Sequence, residues 1–428
     1  MKCTVKKGKN LLVDGPASVN LISGRAKVLG ATLKAGEQIV IRKGKRVPFE
    51  VNKRGVFDLM LGEGATFEET EGSTIPASWE KASVEIISHG KPVTVMVMGG
   101  VDSGKTSFCT YLANKALKRM KKIAIIDGDL GQSDIGPPST IGFSFVTTPI
   151  KDLFEMEAEN AYFVGVTSPS RAVNRVLEGL NILKGRVLET EIIFLIINTD
   201  GWIEGEDATR YKVWLTERLT PDIIVGIQQR DELTPILTAL KGTKTLIVDS
   251  PTSIQKRNRE KRKALRELSY KKYLKEARVQ SFSLNWVRVE GASFGAGIPL
   301  TTERMEKMRK SLGINLVYGE ETSTTVFMVL SEDHWVDEKF VQRIEECFGK
   351  TVKAIREGEE QGLLLALLDA LGNFLGIGVL CGVDYKKRVM KIYTPVSEKV
   401  STIHVGQVKL DKRGREIGLN PLFMNYEP

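Results

Sequence analysis

Val93–Leu112 reads VTVMVMGGVDSGKTSFCTYL, and within it Gly99–Thr106 match the pattern G-x-x-x-x-G-K-[ST]. An apolar run precedes the match and residues suited to a helix follow it, which is the strand–loop–helix setting a phosphate-binding loop requires. Gly99 and Gly104 permit backbone conformations that other residues resist, so successive N–H groups can turn inward on phosphate oxygens. The helix that follows offers its positive dipole end to the same anion. Gly99, Gly100, Val101, Asp102, Ser103, Gly104, Lys105, Thr106 and Ser107 therefore form the candidate ATP site. Lys105 would reach the β and γ phosphates, and the Thr106 hydroxyl would ligate Mg²⁺ or another divalent cation bridging them.

The surrounding chain has the composition of a globular protein, with 42% hydrophobic and 27% charged residues. At about 150 residues per domain, its length allows roughly two to four domains. No apolar run approaches the ~18 to 20 residues needed to span a bilayer, and the N-terminal residues lack a signal-peptide pattern, so a cytoplasmic protein is expected. Cys3, Cys109, Cys347 and Cys381 are scattered and show no metal-ligand spacing, which predicts free thiols; His89, His334 and His404 are equally isolated.

Working outward from the loop, residues 1–88 show short apolar alternations divided by glycine-bearing turns, the pattern of a small all-β unit. Residues 89–300 carry apolar runs at VTVMVM, KIAIIDGD, AYFVGVT, EIIFLIIN, DIIVGI and TLIVDS, interleaved with helical segments. Runs apolar on both faces indicate a mostly parallel sheet covered on each side, an α/β P-loop domain. Residues 301–428 alternate strands with one helix near DEKFVQRIEECFG and suggest a small α+β unit.

Ligands of such sheets bind beyond the carboxyl ends of the strands. There the sequence places Asp127, Asp129 and Gln132 in DGDLGQ, Thr167 and Ser168 in TSP, and Trp202 in NTDGW. Asp127 and Asp129 can hold Mg²⁺ through water, and Asp129 can also accept a proton from an attacking hydroxyl. Trp202, a large aromatic in a glycine-flanked loop at the mouth of the sheet, suits ligand stacking.

Between Lys256 and Arg278 eleven Lys/Arg face three Glu, a local charge of +8 against +9 for the whole chain. So concentrated a patch points to a polyanionic partner. The segment from about 253 to 278 is helix-compatible, and Arg262 and Arg266 share one helical face, where paired guanidiniums could close as a lid over a transferring phosphoryl group. Arg257 and Arg259 offer neighbouring registers for the same role.

Taken together, GGVDSGKT, DGDLGQ, TSP, NTDGW and the Arg-x-x-x-Arg helix resemble the polynucleotide 5′-hydroxyl kinases related to the kinase subunit of the mRNA cleavage and polyadenylation machinery and to the pre-rRNA-processing kinases. The size resembles an archaeal-type member, and GRAKVLGATLKAGEQIVI and YTPVSEKVSTIHVGQVKL are similar to the family's flanking domains. The resemblance implies that Lys105 and Thr106 serve ATP and Mg²⁺, that Asp129 activates the 5′-hydroxyl, and that Gln132 positions that end. It further implies that Thr167 and Ser168 clasp the terminal nucleotide's phosphate, that Trp202 stacks its base, and that Arg262 and Arg266 are the lid arginines. The expected acceptor is RNA or DNA with a 5′-hydroxyl end, and the N-terminal unit would dock RNA-processing proteins. The alternative expectation is an ATP-bound scaffold with little catalysis. Gly100 stands where the family often has Pro, and the loop after Trp202, IEGEDATRYK, is more acidic than a polyanion site favours.

Overall fold

The computed structural model describes residues 1–90, 92–240, 242–292, 294–295, 297–333 and 338–420. His334 and the side chain of Cys347 lie outside the described residues; Cys3, Cys109 and Cys381 are free thiols. The chain divides into two compact units, one of residues 1–164 with 168–266 and the other of residues 165–167 with 267–428.

The first unit is built on a seven-stranded sheet with the order Asn160–Phe163, Thr140–Val146, Ile123–Asp127, Phe194–Asn198, Val93–Gly99, Ile223–Gln228, Lys244–Asp249. The last five run parallel, and the two at the opposite edge pair antiparallel. All seven residues of Val93–Gly99 are buried, as a strand covered by helices on both faces requires. Parallel register sets Val97 opposite Asn198 and Asp127 opposite the same Asn198. The carboxyl ends of three strands therefore open side by side, and Gly99, Asp127 and Asn198 emerge together.

Preceding this sheet, nine strands form a four-stranded and a five-stranded antiparallel sheet packed over a core that includes Leu11, Val19, Phe49 and Phe57. Three ion pairs tie them to the P-loop domain: Arg42 reaches Asp134 (3.1 Å) and Asp152 (2.8 Å), and Lys45 reaches Asp134 (3.0 Å). The expectation of an all-β stretch through residue 88 is corrected here, because Ala77–Ser88 is a helix. It begins after Pro76, and Trp79, Ala82, Ser83 and Ile86 recur at helical spacing on its buried side. Trp79 packs edge-on against Phe108 (5.2 Å) and its indole N–H donates to the Asp249 carbonyl (2.9 Å), so the helix belongs to the core of the parallel sheet.

The second unit pairs a mostly antiparallel sheet with a four-stranded one that carries the helices Thr302–Leu312 and Glu338–Phe348. Its first long strand is Arg278–Ser283, so the boundary expected at residue 300 moves back to about residue 266, inside the helix Arg259–Tyr273. Arg278–Ser283 and Arg288–Glu290 pair with strands of the C-terminal sheet, a long-range pairing with no local signature.

Trp79 is 1% exposed and joins two elements of the P-loop core. Trp79→Ala is expected to cost about 3–5 kcal/mol, the range for removing a buried aromatic, read as a lower urea midpoint with little change in slope.

Candidate active site

The phosphate loop leaves the central strand at Gly99, where a Cβ would sit 2.5 Å from Ser103 Oγ and 2.7 Å from the Ile227 carbonyl, so only glycine fits this approach. Gly104 has φ +101 and caps the helix Lys105–Ala116, while Asp102 holds a left-handed φ of 57. Lys105 is buried, with Nζ donating to the Gly100 carbonyl (2.8 Å). Burial pushes its ammonium below the usual lysine range, with Asp129 and Asp200 drawing it back. Val101 is 55% exposed at the tip of the loop.

A single cavity takes in Asp102, Ser103, Gly104, Lys105, Thr106 and Ser107 together with Asp129, Gln132 and Arg257. Its other wall comes from the N-terminal sheets through Leu12, Lys45, Arg46, Val47 and Pro48, and its floor includes Ile75, Trp79 and Ile254. The polar side gathers groups suited to phosphate, and the apolar side suits a nucleoside.

The second loop, 128–135, is shaped by Asp127. Its carboxylate is fully buried and accepts from the backbone N–H of Asp134 (2.7 Å), Ile135 (3.2 Å) and Asp129 (3.3 Å) and from Asn198 Nδ2 (2.9 Å). Burial, with Asp134 and Asp129 nearby, pushes it up to about 7 against the pull of these donors. Expected as a metal ligand, Asp127 is instead a structural acceptor, because four donors occupy both of its oxygens. Asp129 faces the cavity, with Oδ1 accepting from the N–H groups of Gly131 (3.2 Å) and Gln132 (3.0 Å). Burial raises its pKa, Lys105 opposes the rise and Asp200 adds to it.

Oxygen donors suited to Mg²⁺ meet at this end of the sheet. Asn198 Nδ2 lies 3.4 Å from Thr106 Oγ, and Asn198 Oδ1 is buried without a hydrogen-bond partner. An unpartnered oxygen beside Thr106 and Asp127 fits a hydrated cation. Among the described residues no cluster of three or more His, Cys, Asp or Glu side chains has metal-binding geometry.

The basic segment meets the loop through Arg257. Its backbone N–H donates to Asp102 Oδ2 (2.8 Å), its Nε to Asp102 Oδ1 (2.7 Å) and its Nη1 to Gln132 Oε1 (3.4 Å). Arg262 follows, with Nη1 on the Arg257 carbonyl (2.7 Å) and 3.9 Å from Asp102, while Gln132 Nε2 donates to the Arg262 carbonyl (3.1 Å). Arg266 lies one turn further along the helix and is half-buried. Arg257 is therefore the arginine of the basic segment that lines the cavity, and Arg259 is exposed to solvent.

Trp202 is half-buried, stacked on Tyr211 with ring centroids 5.4 Å apart. Ser168 caps the short 3-10 turn Pro169–Arg171, with its hydroxyl 2.9 Å from that of Ser170. Thr167 is counted with the second unit. Neither Ser168 nor Trp202 lines the cavity described above. The sequence alone does not single out Asp200, Tyr211 and Lys212: Lys212 is 0% exposed and pairs with Asp200 (3.1 Å), and EDATRYK, expected as part of an acidic loop, opens the helix Glu206–Leu219.

A glycine loop closed around a buried lysine, beside a carboxylate and an arginine-bearing segment, defines a P-loop phosphotransferase. Residues 99–276 match the family model described as the mRNA cleavage and polyadenylation factor CLP1 P-loop. The chain is 30% identical over 81% of its length to a polyribonucleotide 5′-hydroxyl-kinase of Thermococcus kodakarensis, covering 96% of that protein. It is 29% identical over 81% of its length to one of Pyrococcus furiosus, covering 95%. A Clp1p structure solved in complex with Pcf11p superposes with a TM-score of 0.66 over 96% of this chain and 97% of that one, at 12% identity, a likeness of fold. The chain belongs to the polyribonucleotide 5′-hydroxyl-kinase family.

Arg257→Ala is expected to lower turnover at least tenfold and up to about 10²–10³, the range for removing one preorganised donor at a developing charge. Arg259→Ala, at an exposed position, is expected to stay near wild type. Single-turnover rates at saturating ATP check the pair, and equal losses would place the lid in another register.

Proposed function

We propose that the protein transfers the γ-phosphoryl group of ATP to the 5′-hydroxyl end of RNA, with DNA ends as a second acceptor. The observation that carries this reading is the meeting of Lys105, Thr106, Asp129, Gln132 and Arg257 around one cavity. ATP lies with its phosphates on the N–H groups of residues 100–106 and its nucleoside toward Val47, Pro48 and Ile75. The acceptor oxygen attacks the γ-phosphorus in line, its proton passes to Asp129, and the bond to the β–γ bridging oxygen breaks to release ADP. Lys105 and Arg257 neutralise the equatorial oxygens, and Arg262 and Arg266 extend that positive field. Mg²⁺ supplies further charge neutralisation at the β and γ oxygens when bound; Thr106 would hold it directly and Asp129 through water, with Asn198 next to Thr106. Gln132 steers the acceptor end, Thr167 and Ser168 grip its phosphate, and Trp202 stacks the terminal base.

A protein partner on the N-terminal sheets is part of this proposal. In the four-stranded sheet Val40 (63% exposed) and Met60 (61% exposed) flank Ser18 in register, an apolar row that a partner would cover. No helix among the described residues is long and apolar enough to cross a membrane.

The test is label transfer from γ-labelled ATP to 5′-hydroxyl RNA and DNA oligonucleotides in parallel. Wild-type protein is expected to label RNA, and Asp129→Asn to lose about 10²–10⁴ in rate with ATP binding retained. Equal labelling by both proteins would remove Asp129 from the mechanism. Because burial raises the Asp129 carboxyl, the basic form is lost sooner on acidification, so the acid limb of kcat/KM should fall at a higher pH than an ordinary carboxylate gives.

A further inference from the structure

Beneath Trp202 lies a buried cluster of polar groups. Asp200, 4% exposed, accepts the Trp202 backbone N–H (2.9 Å) and the Tyr211 hydroxyl (2.7 Å), and pairs with Lys212 (3.1 Å). Lys212 also donates to the Asp200 carbonyl (3.0 Å) and to Thr199 Oγ (3.3 Å), whose own hydroxyl donates to the Val97 carbonyl (2.9 Å) at the end of the central strand. Tyr211 then returns to support the indole face (5.4 Å, interplanar angle 24°). The same loop touches the donor loop: a Cβ at Gly201 would lie 2.8 Å from the Val101 nitrogen, and one at Gly100 would lie 3.2 Å from Ile203 Cδ1. A buried lysine–aspartate pair is costly to desolvate and is held only where its geometry is specific.

We propose that Asp200, Tyr211 and Lys212 form a latch that fixes Trp202, and with it the acceptor's terminal base, at a set position relative to the phosphate loop. The proposal rests on the kinase reading of Trp202 as the stacking residue. These are positioning residues: they set where the 5′-oxygen falls with respect to the γ-phosphorus, and a shift of the loop misplaces the acceptor and leaves the donor seated.

Steady-state kinetics of Tyr211→Phe, Tyr211→Ala and Lys212→Met test it, using 5′-hydroxyl RNA with either an intact or an abasic terminal nucleotide. With the intact acceptor, Tyr211→Ala and Lys212→Met are expected to raise the acceptor KM about tenfold or more, on the scale of one base stack, with the KM for ATP unchanged. Tyr211→Phe keeps the ring and loses the Asp200 contact, so its effect should be smaller. With the abasic acceptor the differences from wild type should shrink, because no base is left to position. Equal losses on both acceptors, or parallel loss of ATP affinity, would overturn the latch and leave a purely structural network. Absence of transfer by the wild type to the intact acceptor would instead overturn the kinase reading beneath it.

A different observation in the second unit carries its own inference. Trp286 is 89% exposed in the turn between Arg278–Ser283 and Arg288–Glu290. The Leu284 N–H donates to the Arg388 carbonyl (2.8 Å) and Arg388 Nε to Asn285 Oδ1 (2.9 Å), so the turn Lys386-Lys387-Arg388 stands beside the indole. Lys391 faces Ser281 across the adjoining strands, and acidic groups at this corner include Asp384, Glu290 and the buried Glu320, which meets Arg388 through Tyr318. A bare indole framed by an excess of cations is the combination that receives single-stranded polynucleotide, base on ring and phosphates on lysines. We infer that this corner is a second polynucleotide contact. Its test is filter binding of a long 5′-phosphorylated RNA across a salt series. Trp286→Ala and the Lys386→Glu, Lys387→Glu pair are expected to weaken binding several-fold, the pair also flattening the salt slope, with dinucleotide phosphorylation unchanged. Unchanged RNA affinity in both variants would overturn the inference and assign the corner to a protein partner.

Discussion

The site depends on one buried carboxylate finding four donors. Asp127 ends a strand inside the sheet, where an unsatisfied charge would cost several kcal/mol or force protonation. It meets this by drawing in the N–H groups of residues 129, 134 and 135 and the amide of Asn198. The chain from 128 to 135 is thereby folded into one tight loop. Asp129 and Gln132 face the cavity from that loop, and Asp134 turns back to Arg42 and Lys45. Burial works to raise Asp134, yet its two cations bring it below the usual carboxylate range. The same residue run thus presents a carboxylate to the cavity and an anchor for the N-terminal sheets.

Asp102 plays the matching part on the donor side. A non-glycine residue with φ of 57 carries a small strain, and the side chain it aims at the basic segment offsets it with hydrogen bonds and ion contacts to Arg257 and Arg262. The cost of ordering the segment before the helix Arg259–Tyr273 is met at the phosphate loop itself. An arginine introduced this way arrives at the cavity already oriented, which is what stabilisation of a transient charge requires.

How much of this could be read beforehand follows from the range of each interaction. The phosphate loop and the parallel sheet were legible because both are local: glycine spacing fixes the turn, and continuous apolar runs mark strands buried on two faces. The helix Ala77–Ser88 also had a local signal in Trp79, Ala82, Ser83 and Ile86, obscured by the strand-like turns before it. The difference between Asp127 and Asp129 was not legible, since two carboxylates at one strand end are chemically alike until the donors from residues 134, 135 and 198 converge on one of them. Which of the offered arginines would reach the loop was hidden for the same reason: the partner of Arg257, Asp102, lies 155 positions away. Lys212 sits in a charged helix and becomes conspicuous only once Asp200 is beneath it.

These contacts also bear on whether such a chain holds ATP to act or only to assemble. Assembly would need the phosphate loop, the apolar wall at Val47 and Pro48, and little more. It would give no reason to keep Asp129 pressed against the N–H groups of Gly131 and Gln132 with its pKa raised, or to spend a buried Lys212–Asp200 pair on a loop outside the ATP cavity. Groups held away from their solution behaviour lower stability and collect where chemistry needs them. Here they collect beside the phosphate loop, at groups that nucleotide binding alone leaves idle.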